Sequence, residues 1–195
     1  MRTYLLSSLL LVGATVATPL AAQVVPAAEA HGFHLNVAAT YSPARFNQLN
    51  GNSFWVQGGG VQVQARLGDH LGLVADARGF HTSDINSSRV GLDMITATIG
   101  PRYTLSFAQG KLSIFGQGSA GEAMAFNGLF PHPSRAESSA NSLAVLAGGG
   151  ADLRLSRRFA LRAFEAEWVH TQLPNGAGNT QNALLLGAGI VYRFR

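Results

Sequence analysis

From Phe33 to Phe194 the chain alternates apolar and polar residues in successive runs, and the connections between the runs are alternately short and long. Successive side chains of a β-strand point to opposite faces, so a period of two gives each run one apolar and one polar face. In Phe33 to Tyr41 the odd positions are apolar and most even ones polar. The same reading gives strands over 54–67, 71–82, 95–105, 111–123, 143–155, 159–170 and 183–194. The connections after the second, fourth and sixth runs are a few residues long, whereas those around 43–53, 83–90, 124–142 and 172–180 are longer and polar. About eight antiparallel strands with short turns at one end and long loops at the other describe an all-β, up-and-down transmembrane barrel. Its short turns and both termini lie on the periplasmic side.

Two places interrupt the alternation. Pro101 cannot donate to a strand ladder, which predicts a bulge or local break. In the seventh run Arg162 has one parity and Glu165 and Glu167 the other. A bulge near Ala163-Phe164 returns all three charges to one face.

A soluble lipocalin-like barrel would also alternate, but its outer face would meet water and carry many charges. Here charged residues are only 12% of the chain, with a single Lys. Those within strands mix both signs, as Asp76 with Arg78 and Asp152 with Arg154, a composition suited to a narrow lumen where charges neutralise one another. The predicted lumen network is Arg66, Asp76, Arg78, Arg102, Glu122, Asp152, Arg154, Arg162, Glu165 and Glu167. An interior of eight strands is just wide enough to be filled by side chains, which disfavours a general diffusion pore and leaves at most a narrow ion path. Trp55, Tyr103, Trp168, Tyr192 and Phe194 fall near strand ends, as interfacial aromatic girdles do. Gly58-Gly59-Gly60 and Gly148-Gly149-Gly150 lack the Lys-Ser/Thr of a phosphate loop and read as strand curvature or close packing of barrel walls.

The amino terminus predicts export. Met1-Arg2 is basic, Tyr4 to Ala17 apolar, and Thr18-Pro19-Leu20-Ala21-Ala22 supplies a breaker and small residues. This is the pattern of a secretory signal peptide over 1–22, followed by a short segment over 23–31 and the barrel over 32–195. The run is too interrupted by Ser7, Ser8, Gly13 and Thr15 to be a membrane-spanning helix.

The chain's end, Gly189-Ile190-Val191-Tyr192-Arg193-Phe194, resembles the terminal signal of outer-membrane proteins, with Gly189, Tyr192 and Phe194 as its defining positions. Arg195 departs from that pattern, since the aromatic is usually last. With the signal peptide, the strand plan and the turn from Gly149 to Ser156, the mature chain resembles the small OmpA-type outer-membrane β-barrel group of Gram-negative cell envelopes. No segment resembles the peptidoglycan-binding domain of full-length OmpA. The resemblance implies recognition by the barrel-insertion machinery, contact with outer-membrane lipids and lipopolysaccharide, and a monomeric structural or surface-interaction role.

The longest connection, 124–142, carries Phe126, Phe130, His132 and Arg135 and is the predicted recognition loop for a surface ligand. No catalytic residue is assigned. The enzyme alternative is a lipid A-modifying barrel hydrolase, for which His81-Thr82-Ser83 and His132-Pro133-Ser134 place His and Ser two residues apart, on one face if extended. The absence of Cys removes thiolate chemistry, and the six His form no compact ligand set, so neither cofactor nor metal is expected. A net charge of +4 raises nucleic acid as a partner, but the basic residues are scattered singly apart from Arg157-Arg158, which argues against it.

Overall fold

The computed structural model describes residues 34–47, 53–85, 90–132, 136–175 and 178–194. The predicted signal peptide and the segment over 23–31 lie outside the described residues, as does Arg135.

The strands are β1 (Leu35–Tyr41), β2 (Ala44–Asn47), β3 (Ser53–Arg66), β4 (Leu71–Thr82), β5 (Leu92–Phe107), β6 (Leu112–Phe130), β7 (Glu137–Arg154), β8 (Phe159–Thr171) and β9 (Gln181–Arg193). Each pairs antiparallel with its neighbours, and β1 and β2 both lie between β3 and β9. They are halves of one strand, interrupted where Pro43 has no N–H to contribute. The ladder is kept across the gap: Ser42 N donates to Gly58 O, and Leu186 N donates to Pro43 O. The result is a closed barrel of eight strands. Residues 44–47, expected within a loop, instead continue the first strand.

Partner follows partner from Ala44 through Leu185, Glu167, Gly148, Gln117, Arg102, Gly72 and Arg66 to His34, ten residues down the strand on which the path began. Eight strands with that stagger tilt by about 40° and enclose a space that side chains fill. The bulge predicted from charge parity is present. Ala151 pairs with Phe164 and Asp152 with Arg162, which leaves Ala163 as the extra residue. Beyond it Arg162, Glu165 and Glu167 are all buried. At Gly100 and Pro101 the pairing of β5 with β6 lapses and resumes in the same register, so the proline makes a break and no bulge.

The wall changes polarity along its length. Through most of each strand the outer face is apolar and exposed, as Val61, Leu73, Ile99, Leu161 and Ile190 show, and the inner face is polar. Toward the long-loop end the faces exchange character. There Phe46, Val56, Phe80, Met94 and Leu146 point inward and are buried together, while Arg45, Gln57, His81 and Asp93 stand outside. Aromatic residues flank the apolar outer band, Tyr103, Phe159 and Phe194 near the short turns and Trp55 and Trp168 toward the loops.

The hairpin of β6 and β7 departs most from the expected outline. Both strands run well past the predicted loop boundary, so Phe126 and Phe130 are strand residues and the connection narrows to 131–136. The sequence hides this because the inward positions there are Ala123 and Ala125, and Asn127, with a φ of 58°, interrupts the period.

Candidate functional site

Seven of the predicted lumen residues meet inside the barrel. Arg78 pairs with Asp76 (Nε–Oδ1 2.8 Å), Glu167 (Nη2–Oε2 2.8 Å) and Glu165 (Nη2–Oε1 3.3 Å). Arg162 pairs with Asp152 (Nε–Oδ1 2.9 Å) and Glu165 (Nη1–Oε1 3.2 Å). Among the described residues Arg102 has no carboxylate at salt-bridge distance. Its guanidinium donates to Gln117, Gln62 and Gln64 and lies 4.2 Å from the centre of the Phe115 ring, over which Arg162 also sits at 4.5 Å. Gln62 joins the halves, accepting from Arg102 and Arg162 while donating to Glu165 at 2.7 Å. Gln117 bonds Arg102 and Glu167 in the same manner. Pairing of this kind offsets the cost of burying the charges, although Glu165 Oε2 and Glu167 Oε2 accept no hydrogen bond among the described residues.

Glycine supplies the room. Gly60, Gly148 and Gly150 stand directly across from Arg78, Glu167 and Glu165. A Cβ on Gly60 would fall 2.5 Å from Arg78 Cγ, and one on Gly148 would fall 2.2 Å from Ala166 O. Each large charged side chain thus crosses a strand position that has no side chain of its own.

Three predicted network residues are placed elsewhere. Glu122 has outward parity on β6, between Ala97 and Leu143, and faces away from the lumen. Arg66 and Arg154 point inward but lie at the short-turn mouth, bonded to the backbone oxygens of Asp69 and Gln109. The sequence reading missed Gln62, Gln64, Gln117 and Phe115. Their inward parity beside Arg66, Arg102 and Asp152 was the available signal.

Directly above the charges, an apolar layer built from Phe46, Val56, Phe80, Met94, Leu146, Val169 and Leu185 fills the lumen. A cavity of about 500 Å³ opens above it among Phe54, Leu92, Leu129, Phe130, Leu173 and Pro174, with Asn47, Asn175 and Gln181 also in its lining. Of the predicted recognition residues, Phe130 is buried in this layer and lines the cavity, Phe126 faces outward from β6, and His132 is exposed near the hairpin tip. The predicted insertion residues lie on β9 and just beyond it. Gly189 faces inward against Thr40, while Tyr192 packs its ring against Phe159 and Phe194.

The His-x-Ser pairs assemble no nucleophile and base among the described residues. His81 Nδ1 is 2.5 Å from Asp93 Oδ1 on the outer wall, and no hydroxyl is bonded to it. Asn127 donates to the other oxygen of Asp93. These two bonds hold the Asp93 carboxyl below its ordinary range. Ser134 lies outside the described residues.

No curated protein matches the sequence significantly. Among solved structures the fold is similar to Neisserial surface protein A, NspA, at a TM-score of 0.60 and 14% identity, over 83% of this chain and 97% of that one. It is also similar to Ail, the attachment invasion locus protein of Yersinia pestis, at a TM-score of 0.52 and 15% identity, over 83% and 99%. A second structure of Ail, in complex with the heparin analogue sucrose octasulfate, gives 0.54 and 17% over the same shares. The family model for the outer membrane protein beta-barrel domain matches residues 7–194. With the closed ring of eight strands and the apolar outer band, that match establishes that the chain belongs to the outer membrane β-barrel protein family and resides in the outer membrane.

Proposed function

We propose that this barrel works at its extracellular rim, as a closed scaffold that presents a binding surface, and that it neither conducts ions nor catalyses a reaction. The carrying observation is that the lumen is filled twice in succession, by a bonded charge network and then by an apolar layer, while the cavity above opens outward. A cavity of this size lies in the range of ligand sites. Among the described residues its lining has no charged residue, so it suits a neutral apolar group on a surface partner, an acyl chain or an apolar protein segment. Gly189, Tyr192 and Phe194 would serve assembly through the barrel-insertion machinery, and the apolar outer band would contact outer-membrane lipids and lipopolysaccharide as a monomer.

The test pairs two measurements on the full chain. In planar bilayers the purified barrel is expected to give no single-channel steps. Cells displaying it should adhere to an octyl-coated surface, and Leu129→Asp, at an exposed cavity position, should reduce that adhesion at equal surface level. Reproducible steps altered by Arg78 or Glu165 substitution, or acyl release from lipid A, would overturn the proposal.

A further inference from the structure

The opposite mouth has opposite chemistry. A separate cavity of about 240 Å³ opens at the short-turn end, and Arg66, Arg154, Arg157, Arg193 and His34 are in its lining. Among the described residues one carboxylate, Asp152, is also there, but its oxygens already accept from Arg162 Nε at 2.9 Å and Nη2 at 3.4 Å. Arg66 Nη2 and Arg154 Nη2 donate to the neutral backbone oxygens of Asp69 (3.2 Å) and Gln109 (2.9 Å), which orient the two guanidiniums without neutralising them. The hydroxyls of Thr104, Ser106 and Ser113 are also in the lining, beside Phe115, Val191 and Phe194.

Guanidinium groups fork onto oxyanions with two parallel hydrogen bonds, and hydroxyls satisfy the remaining lone pairs. Several arginines around a small concave space also repel one another, and an anion between them relieves that repulsion. We infer that the periplasmic mouth is a binding site for a phosphorylated anion, held by Arg66, Arg154 and Arg157. The phosphate could belong to a soluble periplasmic compound or to a phospholipid headgroup of the inner leaflet, since both present the same oxygens. This inference is independent of the rim proposal, because the filled lumen lies between the two cavities.

The experiment uses the full chain folded in dodecyl maltoside, which contains no phosphate. Calorimetric titration with sodium pyrophosphate tests the soluble source, and phosphorus NMR of added phosphatidylglycerol in the same micelles tests the lipid source. Saturable binding of either probe supports the site when Arg66→Gln/Arg154→Gln weakens it by about tenfold or more. Arg157→Gln, on an exposed turn, should weaken it as well, and Arg45→Gln, at the other end of the barrel, should not. Heat-modifiable migration confirms that each variant is folded. The inference fails if neither probe saturates, or if folded variants lacking these arginines bind as the parent does.

Discussion

Replacing Arg78 by Met removes the one cation that three carboxylates share. All four side chains are fully buried, so none of the loss can be made good by water. The carboxylates do not suffer equally. Glu165 keeps Gln62 and Arg162, and Glu167 keeps Gln117, but among the described residues Asp76 has bonds to Arg78 alone. Removing one member of a buried pair costs about 3–5 kcal/mol, and the value for Arg78→Met should fall in that range because one carboxylate is wholly orphaned. In the unfolding equilibrium this is about two to four powers of ten. Adding Asp76→Asn removes the orphaned charge and should recover at least about 1 kcal/mol, a coupling that a double-mutant cycle isolates. The assay is urea unfolding of the barrel in lipid vesicles. Fluorescence of Trp55 and Trp168 reports the transition, since both lie on the outer wall, 54% and 45% exposed, and leave lipid when the barrel opens. A loss below about 0.5 kcal/mol for Arg78→Met, the usual range of surface substitutions, would refute the reasoning, as would a double variant no more stable than the single.

Three further outcomes are expected. Gly148→Ala places a Cβ 2.2 Å from a backbone oxygen and should cost about 1–3 kcal/mol, as overpacking does, measured by the same unfolding; a neutral result would mean that the wall has room to spare. Ile99→Arg, in mid-band on the outer wall, should cost about 2–4 kcal/mol, whereas Leu155→Arg at the short turns should cost only about 0–1; equal costs would misplace the apolar band. Because the folded pKa of Asp93 is depressed, its bond to His81 stabilises the folded state above the unfolded carboxyl pKa and is lost as pH falls through the folded one, so the carboxyl carbon shift of Asp93 should titrate with a midpoint below 3.8, and a midpoint at or above that would contradict the pairing.

The membrane-facing part of the fold was legible because period two is enforced there by two unlike media. β4 matches its predicted limits, 71 to 82, since every outward position up to Ala77 is apolar and Asp76 and Arg78 mark the inside. The bulge at Ala163 was equally legible, because burying three charges admits one parity. Legibility failed where the two faces exchange character. Above Ala123 the inner face of β6 becomes apolar, and a pattern read as apolar-out has no continuation there, so the sequence predicts a loop where the structure has a paired hairpin. Glu122 was misassigned at that same crossover, where neighbouring glycines and alanines leave parity unmarked. In the lumen the charges mark themselves by burial cost, whereas the glutamines that join them share the inward parity but carry no charge to single them out as network members.

The exchange of faces also fixes how deep the barrel sits. A transmembrane helix of uniform apolarity can tilt or slide to suit its bilayer, whereas this wall has a boundary written into it. Raising the barrel by one pleat would lift Ile95 into water, and lowering it would draw Asp93 and His81 into hydrocarbon. When the membrane is thinner or thicker than the band, the lipid must deform to meet the protein, since the protein gains nothing by moving. The rim is therefore held at a constant height above the surface in any leaflet that accepts the barrel.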